Sequence, residues 1–271
     1  MKISRSFDCS APSLGSALIL CAAGFLCLAS ARGDPIFADS FDYPTGDLVG
    51  NGPPPGSPPG QGGWRLANGE PRASVTGLEF PGIFSAGGSA GVLGIDGTNG
   101  DKTLASIGPV TADDGEVWVG FLIRLAHSAT APDGFAVVSL GNDVTDPSLG
   151  IGLLFEKHRY GLDNNTGVRH SRAVTSFVPS QEIVWMVTKL DFINGQEYLW
   201  INPATDGEPD ITEADGQLPM TADFLASGFS EIALKIGYND ALFQFDELRV
   251  GTEFADVVNP AVAPSLRWPN E

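Results

Sequence analysis

The sequence predicts an all-β fold, a two-sheet antiparallel β-sandwich of jelly-roll type. Three observations carry that expectation. Apolar residues alternate with period two over many short stretches, and Gly-, Pro- and Asp-rich turns separate those stretches. Helical periodicity is nearly absent, with only residues 221–227 and 252–257 suited to a single turn each. Residues 116–125 place Val117, Val119, Phe121, Ile123 and Leu125 on one face and Trp118 and Leu122 on the other, as in a middle strand covered on both sides.

Taken in order, the chain of 271 residues opens on a segment that does not belong to the fold. Lys2 and Arg5 precede a short apolar run over residues 17–28, and Ala29-Ser30-Ala31 closes it. This pattern reads as a signal peptide, residues 1–31, cleaved after Ala31, and implies a secreted or periplasmic protein. The apolar run is short for a membrane span, which needs about 20 residues, so no span is expected after cleavage. All three cysteines (Cys9, Cys21 and Cys27) lie in this segment, so the rest of the chain carries no disulfide. The chain has 15 basic and 33 acidic residues, net −18. A field of that sign disfavours nucleic acid and anionic membranes as partners.

The folded domain is expected over residues 32–258, with a loose tail over 259–271. Residues 34–43 suit a short edge strand, and residues 44–63 form a loop in which 13 of 20 residues are Pro or Gly. Trp64 is expected to cover one edge of the core. Residues 75–84 and 91–95 read as short strands, and the Gly- and Ser-rich residues 85–91 between them read as open. Residues 96–101 read as a polar turn whose acid spacing only faintly suits calcium. Strands follow over 135–140, 151–156 and 159–162 at hairpin spacing. Residues 183–192 and 196–201 flank Asn194-Gly195, a strong hairpin signal. Residues 231–238 and 241–250 read as a last hairpin turning at Asn239-Asp240.

The final strand holds the sharpest local signal. Phe243 and Phe245 share one phase, Leu248 and Val250 the opposite one, and Asp246 and Glu247 stand between. Alternation along a strand makes such a switch a bulge or a sharp twist at the two acids.

Three stretches together carry a family resemblance: residues 37–43 (Phe-Ala-Asp-Ser-Phe-Asp-Tyr), Leu199-Trp200-Ile201-Asn202-Pro203, and residues 245–252 (Phe-Asp-Glu-Leu-Arg-Val-Gly-Thr). The set resembles secreted bacterial proteins of the concanavalin A-like lectin/glucanase superfamily, the laminin-G-like jelly rolls. The resemblance implies that the terminal strands lie side by side. It also implies a structural calcium ion there, with Asp246 as the last-strand ligand and Asp39 and the 87–91 loop as partners. The alternative for Asp246 and Glu247 is pairing with Arg249, Arg72 or a backbone N–H.

Function is less constrained. The first reading is a non-catalytic module that binds glycan or another extracellular partner. Tyr198 and Trp200, on one face of a late strand, are candidates to line a sugar groove. Residues 157–172 concentrate base in an acidic chain, and Arg159 and Tyr160 there are candidates to meet an acidic polysaccharide, against cross-strand charge pairing as the alternative. The second reading is a polysaccharide-degrading enzyme, and the third an adhesive envelope protein without a small ligand. Glu208-Pro209-Asp210-Ile211-Thr212-Glu213 matches a glycosidase motif in letters only. Pro209 and the flanking Asp-Gly pairs are turn chemistry, whereas retaining hydrolysis needs two carboxyls about 5–5.5 Å apart on a rigid strand. Oligomeric state has no signal in the sequence.

Overall fold

The computed structural model describes residues 35–258, apart from 54–56, 84, 86, 95–97, 129–133, 143–147, 166–169 and 239. The signal segment and the 259–271 tail therefore lie outside the described residues, as do Asp96, Gly97 and Arg169. In chain order the strands are β1 (Phe37–Asp39), β2 (Gly46–Asp47), β3 (Arg65–Asn68), β4 (Arg72–Ser74), β5 (Ser89–Leu93), β6 (Asn99–Val110), β7 (Glu116–His127) and β8 (Phe135–Gly141). They continue with β9 (Ser148–Leu153), β10 (Tyr160–Asn165), β11 (His170–Val174), β12 (Val184–Asp191), β13 (Gln196–Ile201), β14 (Gly216–Pro219), β15 (Phe229–Gly237) and β16 (Leu242–Gly251). Two short helices, α1 (Ala222–Ser227) and α2 (Phe254–Val257), occupy the two stretches expected to turn.

The strands form two antiparallel sheets. One has nine strands in the order β14-β13-β12-β7-β16-β5-β4-β2, with β1 added on β16. The other has seven, in the order β11-β10-β9-β8-β15-β6-β3. The main core fills the space between them. It takes the inner faces of β7 (Val117, Val119, Phe121, Ile123), β8 (Ala136, Val138, Leu140) and β15 (Ile232, Leu234, Ile236). Burying each large apolar side chain there contributes about 1.5–3 kcal/mol. Trp64 is buried at the edge, stacked on Phe41 with centroids 5.5 Å apart.

The expected break in β16 is present. Its register against β7 shifts between Asp246 and Arg249, and Glu247 has φ +48°, a left-handed conformation rare for such a residue. The extra residue lets Phe243 and Phe245 before it and Leu248 and Val250 after it all enter the main core. At the same point β16 changes partner. Leu242–Phe245 pair with β5, and Leu248–Val250 pair with β1, so the terminal strands do meet.

Four expectations about elements are corrected. The last two strands do not form a hairpin, because β15 belongs to the seven-stranded sheet and β16 to the nine-stranded one. Residues 75–83 make no strand beyond an isolated Phe80–Ile83 bridge. The 85–91 stretch is not open, because Ser89 and Ala90 are fully buried in β5. Small residues are needed there, since a Cβ on Gly88 would strike the Phe41 carbonyl. Finally, Asn99–Asp101 is no free turn but the start of β6, a twelve-residue strand. The buried Asp101 is accommodated by N–H donors from Glu70 (2.7 Å) and Leu93 (2.8 Å).

One core position carries a testable charge. Glu197 shares the inward phase of Leu199 on β13 and is fully buried, and neither oxygen has a well-formed hydrogen bond among the described residues. Burial raises its pKa from 4.5 to about 8, and the neighbouring Asn164 amide, whose Nδ2 is committed to the Pro219 carbonyl (2.9 Å), offsets only part of that. The folded chain therefore holds a proton here that the unfolded chain releases above about pH 4.5. Its stabilising effect is complete below that pH and is lost as pH rises toward 8. Thermal melts should show the melting temperature falling over that range. Glu197→Gln should flatten the fall and raise the melting temperature near pH 8 by about 5 °C. A pH slope unchanged by the substitution would contradict the assignment.

Candidate functional site

The outer faces of the two sheets differ, and the difference locates the site. On the nine-stranded sheet the outward side chains Trp118, Trp185, Val187, Tyr198 and Trp200 join Leu78, Phe254 and Val257 in a second apolar cluster. Trp200 stacks between Trp118 (5.7 Å, 23°) and Tyr198 (6.1 Å, 28°), and the Phe254 ring of α2 packs edge-on against Trp118. The Trp200 indole N–H donates to the Asp210 carbonyl at 3.0 Å. The expected sugar groove at Tyr198 and Trp200 is therefore corrected. Both lie on one face, but that face is covered, leaving them 8% and 3% exposed.

Among the described residues the outer face of the seven-stranded sheet is uncovered and holds a cleft of about 400 Å3, within the usual range of ligand sites. Its shape follows from register. One row across the sheet is Lys102, Lys235 and Val137, on β6, β15 and β8. The next row is Ser139, Gly150, Asp163 and Arg172, on β8 to β11. Strand β9 turns Leu149, Ile151 and Leu153 into the core, so its outward positions include Gly150 and Gly152. Without side chains these make a trough. Gly152 is fixed by its backbone, with φ +144° and a Cβ that would strike the Ala136 carbonyl. Gly150 is not so constrained: a Cβ there meets only ordinary contacts, Val137 Cγ1 at 3.6 Å and the Asp163 carbonyl at 3.7 Å.

The cleft has three kinds of wall. Along one side Lys235 donates to the Ser139 hydroxyl at 2.9 Å. Burial lowers the Lys235 pKa to about 8, Lys102 across the strand adds to the lowering, and Glu231 opposes it. On the far side Asp163 accepts from Arg172 Nε at 2.8 Å and faces His170 Nδ1 at 2.9 Å. At one end Phe155 meets Tyr238 edge-on at 5.4 Å, with Phe135 at 6.3 Å from the same ring. Tyr238 is 40% exposed and has φ +58°, so a large ring is held in a strained backbone at the mouth of the cleft.

From the basic stretch of residues 157–172, the structure brings His170 and Arg172 into the cleft. Both engage Asp163, as cross-strand pairing requires. Tyr160 is corrected as a ligand contact. It is fully buried in the main core, burial raises its pKa, and its hydroxyl meets no partner among the described residues. Arg159 is exposed and donates to the Ser176 carbonyl at 2.5 Å, outside the cleft. Sequence reasoning missed Lys235, Phe135, Phe155 and Tyr238. Lys235, an outward lysine between core-facing Leu234 and Ile236, was the one available signal.

The two acids proposed as calcium ligands are each ringed by protein donors. Asp39 accepts from Phe41 N–H (2.7 Å), the Tyr43 hydroxyl (2.7 Å) and Trp64 Nε1–H (2.8 Å). Burial raises its pKa, and those three donors oppose the rise. Asp246 accepts from Leu78 N–H (2.8 Å), the Ser85 hydroxyl (3.1 Å) and Glu247 N–H (2.7 Å). Burial raises its pKa to about 7. Calcium needs oxygen lone pairs turned toward it, and here three N–H or O–H donors meet each carboxylate. This arrangement favours a hydrogen-bonded role for both acids over an ion shared by Asp39 and Asp246. Among the described residues no group of three or more His, Cys, Asp or Glu is placed to hold a metal.

The glycosidase-like letters fall in a loop and a single 3₁₀ turn, Ile211–Glu213, capped by Asp210, as their turn chemistry implied. Glu208 instead pairs with Lys189 (3.1 Å), which also meets Glu116 (3.0 Å) and lies 5.1 Å from the Trp118 ring centroid.

If Asp39 is a hydrogen-bond hub, Asp39→Ala leaves buried donors unpaired at about 1–3 kcal/mol each and should lower the melting temperature by about 5 °C or more. The wild type should melt alike in millimolar calcium and in excess chelator. A calcium-dependent shift of about 5–10 °C that Asp246→Ala abolishes would return a metal to this site.

No protein family and no curated protein matches the chain. Among solved structures it is similar to the botulinum neurotoxin serotype D binding domain, with a TM-score of 0.43, 10% identity, and 70% of this chain and 45% of that chain covered. It is likewise similar to the botulinum neurotoxin serotype C1 binding domain (TM-score 0.42, 12% identity, 68% and 44% covered). A third is the binding domain of botulinum neurotoxin DC in complex with SialylT (TM-score 0.43, 12% identity, 68% and 42% covered). The chain spans less than half the length of these structures, and at such TM-scores the likeness assigns it neither a family nor a ligand.

Proposed function

We propose that this chain is an exported, non-catalytic β-sandwich that binds a saccharide in the cleft on the outer face of the seven-stranded sheet. The observation that carries the reading is the composition of that cleft. A partly exposed aromatic end, Tyr238 with Phe155 and Phe135, faces hydrogen-bonding groups on Lys235, Ser139, Asp163 and Arg172 across a glycine trough. Sugars present an apolar C–H face and a ring of hydroxyls, so a site of a few placed polar groups beside aromatic surface suits them. Binding is favoured over hydrolysis by the state of Asp163, whose carboxylate is held by Arg172 and His170 and, among the described lining residues, faces no second acid such as glycosidic cleavage requires. The basic, apolar and small-residue pattern of residues 1–31 supports export. Among the described residues no helix is long and apolar enough to cross a membrane.

Screening of the protein on an oligosaccharide array, followed by titration of the best probe, tests the reading. Tyr238→Ala should weaken binding about tenfold, the loss of one aromatic contact with its ordering effect. Gly150→Leu should abolish binding by filling the trough while leaving the melting temperature close to that of the wild type. Trp200→Ala should do the reverse, lowering stability by about 3–5 kcal/mol through its cavity and sparing affinity in the folded fraction. Saccharide binding untouched by Gly150→Leu would move the site elsewhere, and no saccharide binding would favour an adhesive scaffold.

A further inference from the structure

Lys102 and Lys235 are direct cross-strand partners on the outer face of the seven-stranded sheet. Like charges in that position repel each other and destabilise a sheet. Here the repulsion is compounded because Lys235 is partly buried along one side of the cleft, with its ammonium bonded to the neutral Ser139 hydroxyl. Glu231, on the same strand, is drawn toward Arg65, with which it forms an ion pair at 2.5 Å. The far wall adds Arg172 and His170, which share one carboxylate, Asp163. Among the described lining residues base therefore outnumbers acid in the cleft, in a chain whose formal net charge is −18. The general field of the molecule repels anions, so this local reversal marks a place where an anion can be held.

Resting on the saccharide reading above, we infer that the ligand is an acidic saccharide whose carboxylate or sulfate sits against the Lys102–Lys235 pair, with a sugar ring carried across the Gly150 trough toward Tyr238. An anion at this point meets both ammonium groups and lessens the repulsion between the two lysines. It also replaces the water that a buried ammonium gives up. The same contact favours the charged form of Lys235, which burial and Lys102 otherwise disfavour. Both anion types satisfy this chemistry. The carboxylate is planar and the sulfate tetrahedral, so comparing two probes separates them.

The experiment is a calorimetric titration of the protein with three oligosaccharides of equal length: an oligogalacturonate, a sulfated galactan oligosaccharide and a neutral galactan oligosaccharide. At least one acidic probe should bind about tenfold or more tightly than the neutral one. Its affinity should fall between about 50 and 500 mM salt, as screening shortens the reach of the lysines. Lys235→Ala should cost about tenfold or more for the acidic probe and little for the neutral one. Lys235→Arg retains the charge and should recover part of the loss, which separates lost charge from a folding defect. Lys102→Ala gives the same readout at a second position. Neutral and acidic probes binding equally, blocked by Gly150→Leu but unmoved by either lysine substitution, would overturn the acidic ligand and leave the saccharide cleft standing. Acidic binding that survives Gly150→Leu, or no binding of any probe, would overturn both.

Discussion

The bulge at Asp246 and Glu247 is the constraint on which the sandwich depends. β16 lies at the centre of the nine-stranded sheet and must serve two partners on the same edge, β5 along its first half and β1 along its second. The gap between those partners leaves backbone N–H groups without ladder acceptors, and a buried unpaired N–H is costly. Asp246 accepts from one of them, Glu247 N–H, and also from Leu78 N–H of the segment before β5. Asp39 repeats the device at the end of β1, taking Phe41 N–H together with the Trp64 and Tyr43 side chains. Two acids in a core are thus explained by the donors that surround them. The same bulge resets the phase of β16, so both of its apolar pairs face inward.

From that arrangement the asymmetry of the two outer faces follows. After β16 leaves the sheet, the chain turns at once into α2, which brings Phe254 and Val257 down over Trp118 and Trp185. The aromatic-rich face is thereby spent on packing. Among the described residues no such cover reaches the outward side of β8, β9 and β15, where Phe135, Val137, glycines and charged side chains line the cleft. An account of function that follows the tryptophans would look at the covered sheet. The open cleft lies on the other, where a lysine pair and a glycine trough are the distinctive features.

Legibility in the sequence divides along the same line. What depends on neighbours in the chain could be read: the alternation of β7, the Asn194-Gly195 hairpin joining β12 and β13, and the phase switch in β16. What depends on distant cover could not. β6 was hidden because Asp101 and Lys102 look like turn residues until Glu70 and Leu93 supply donors to the acid. β15 and β16 are adjacent in sequence with a turn between them, yet they enter different sheets. Trp200 reads as a groove residue until the Asp210 loop and the ring stack close over it. The cleft itself joins residues from positions 99 to 238 through the registers of six strands, and no local pattern records such a row.

The measurement that tests the central claim most directly is hydrogen exchange with and without a saturating acidic oligosaccharide, read by peptide. A ligand in the open cleft predicts slowed exchange in peptides covering β8, β9 and β15, with the 198–213 and 254–258 segments unchanged. Protection confined to those two segments would place the site on the covered aromatic face and contradict the account.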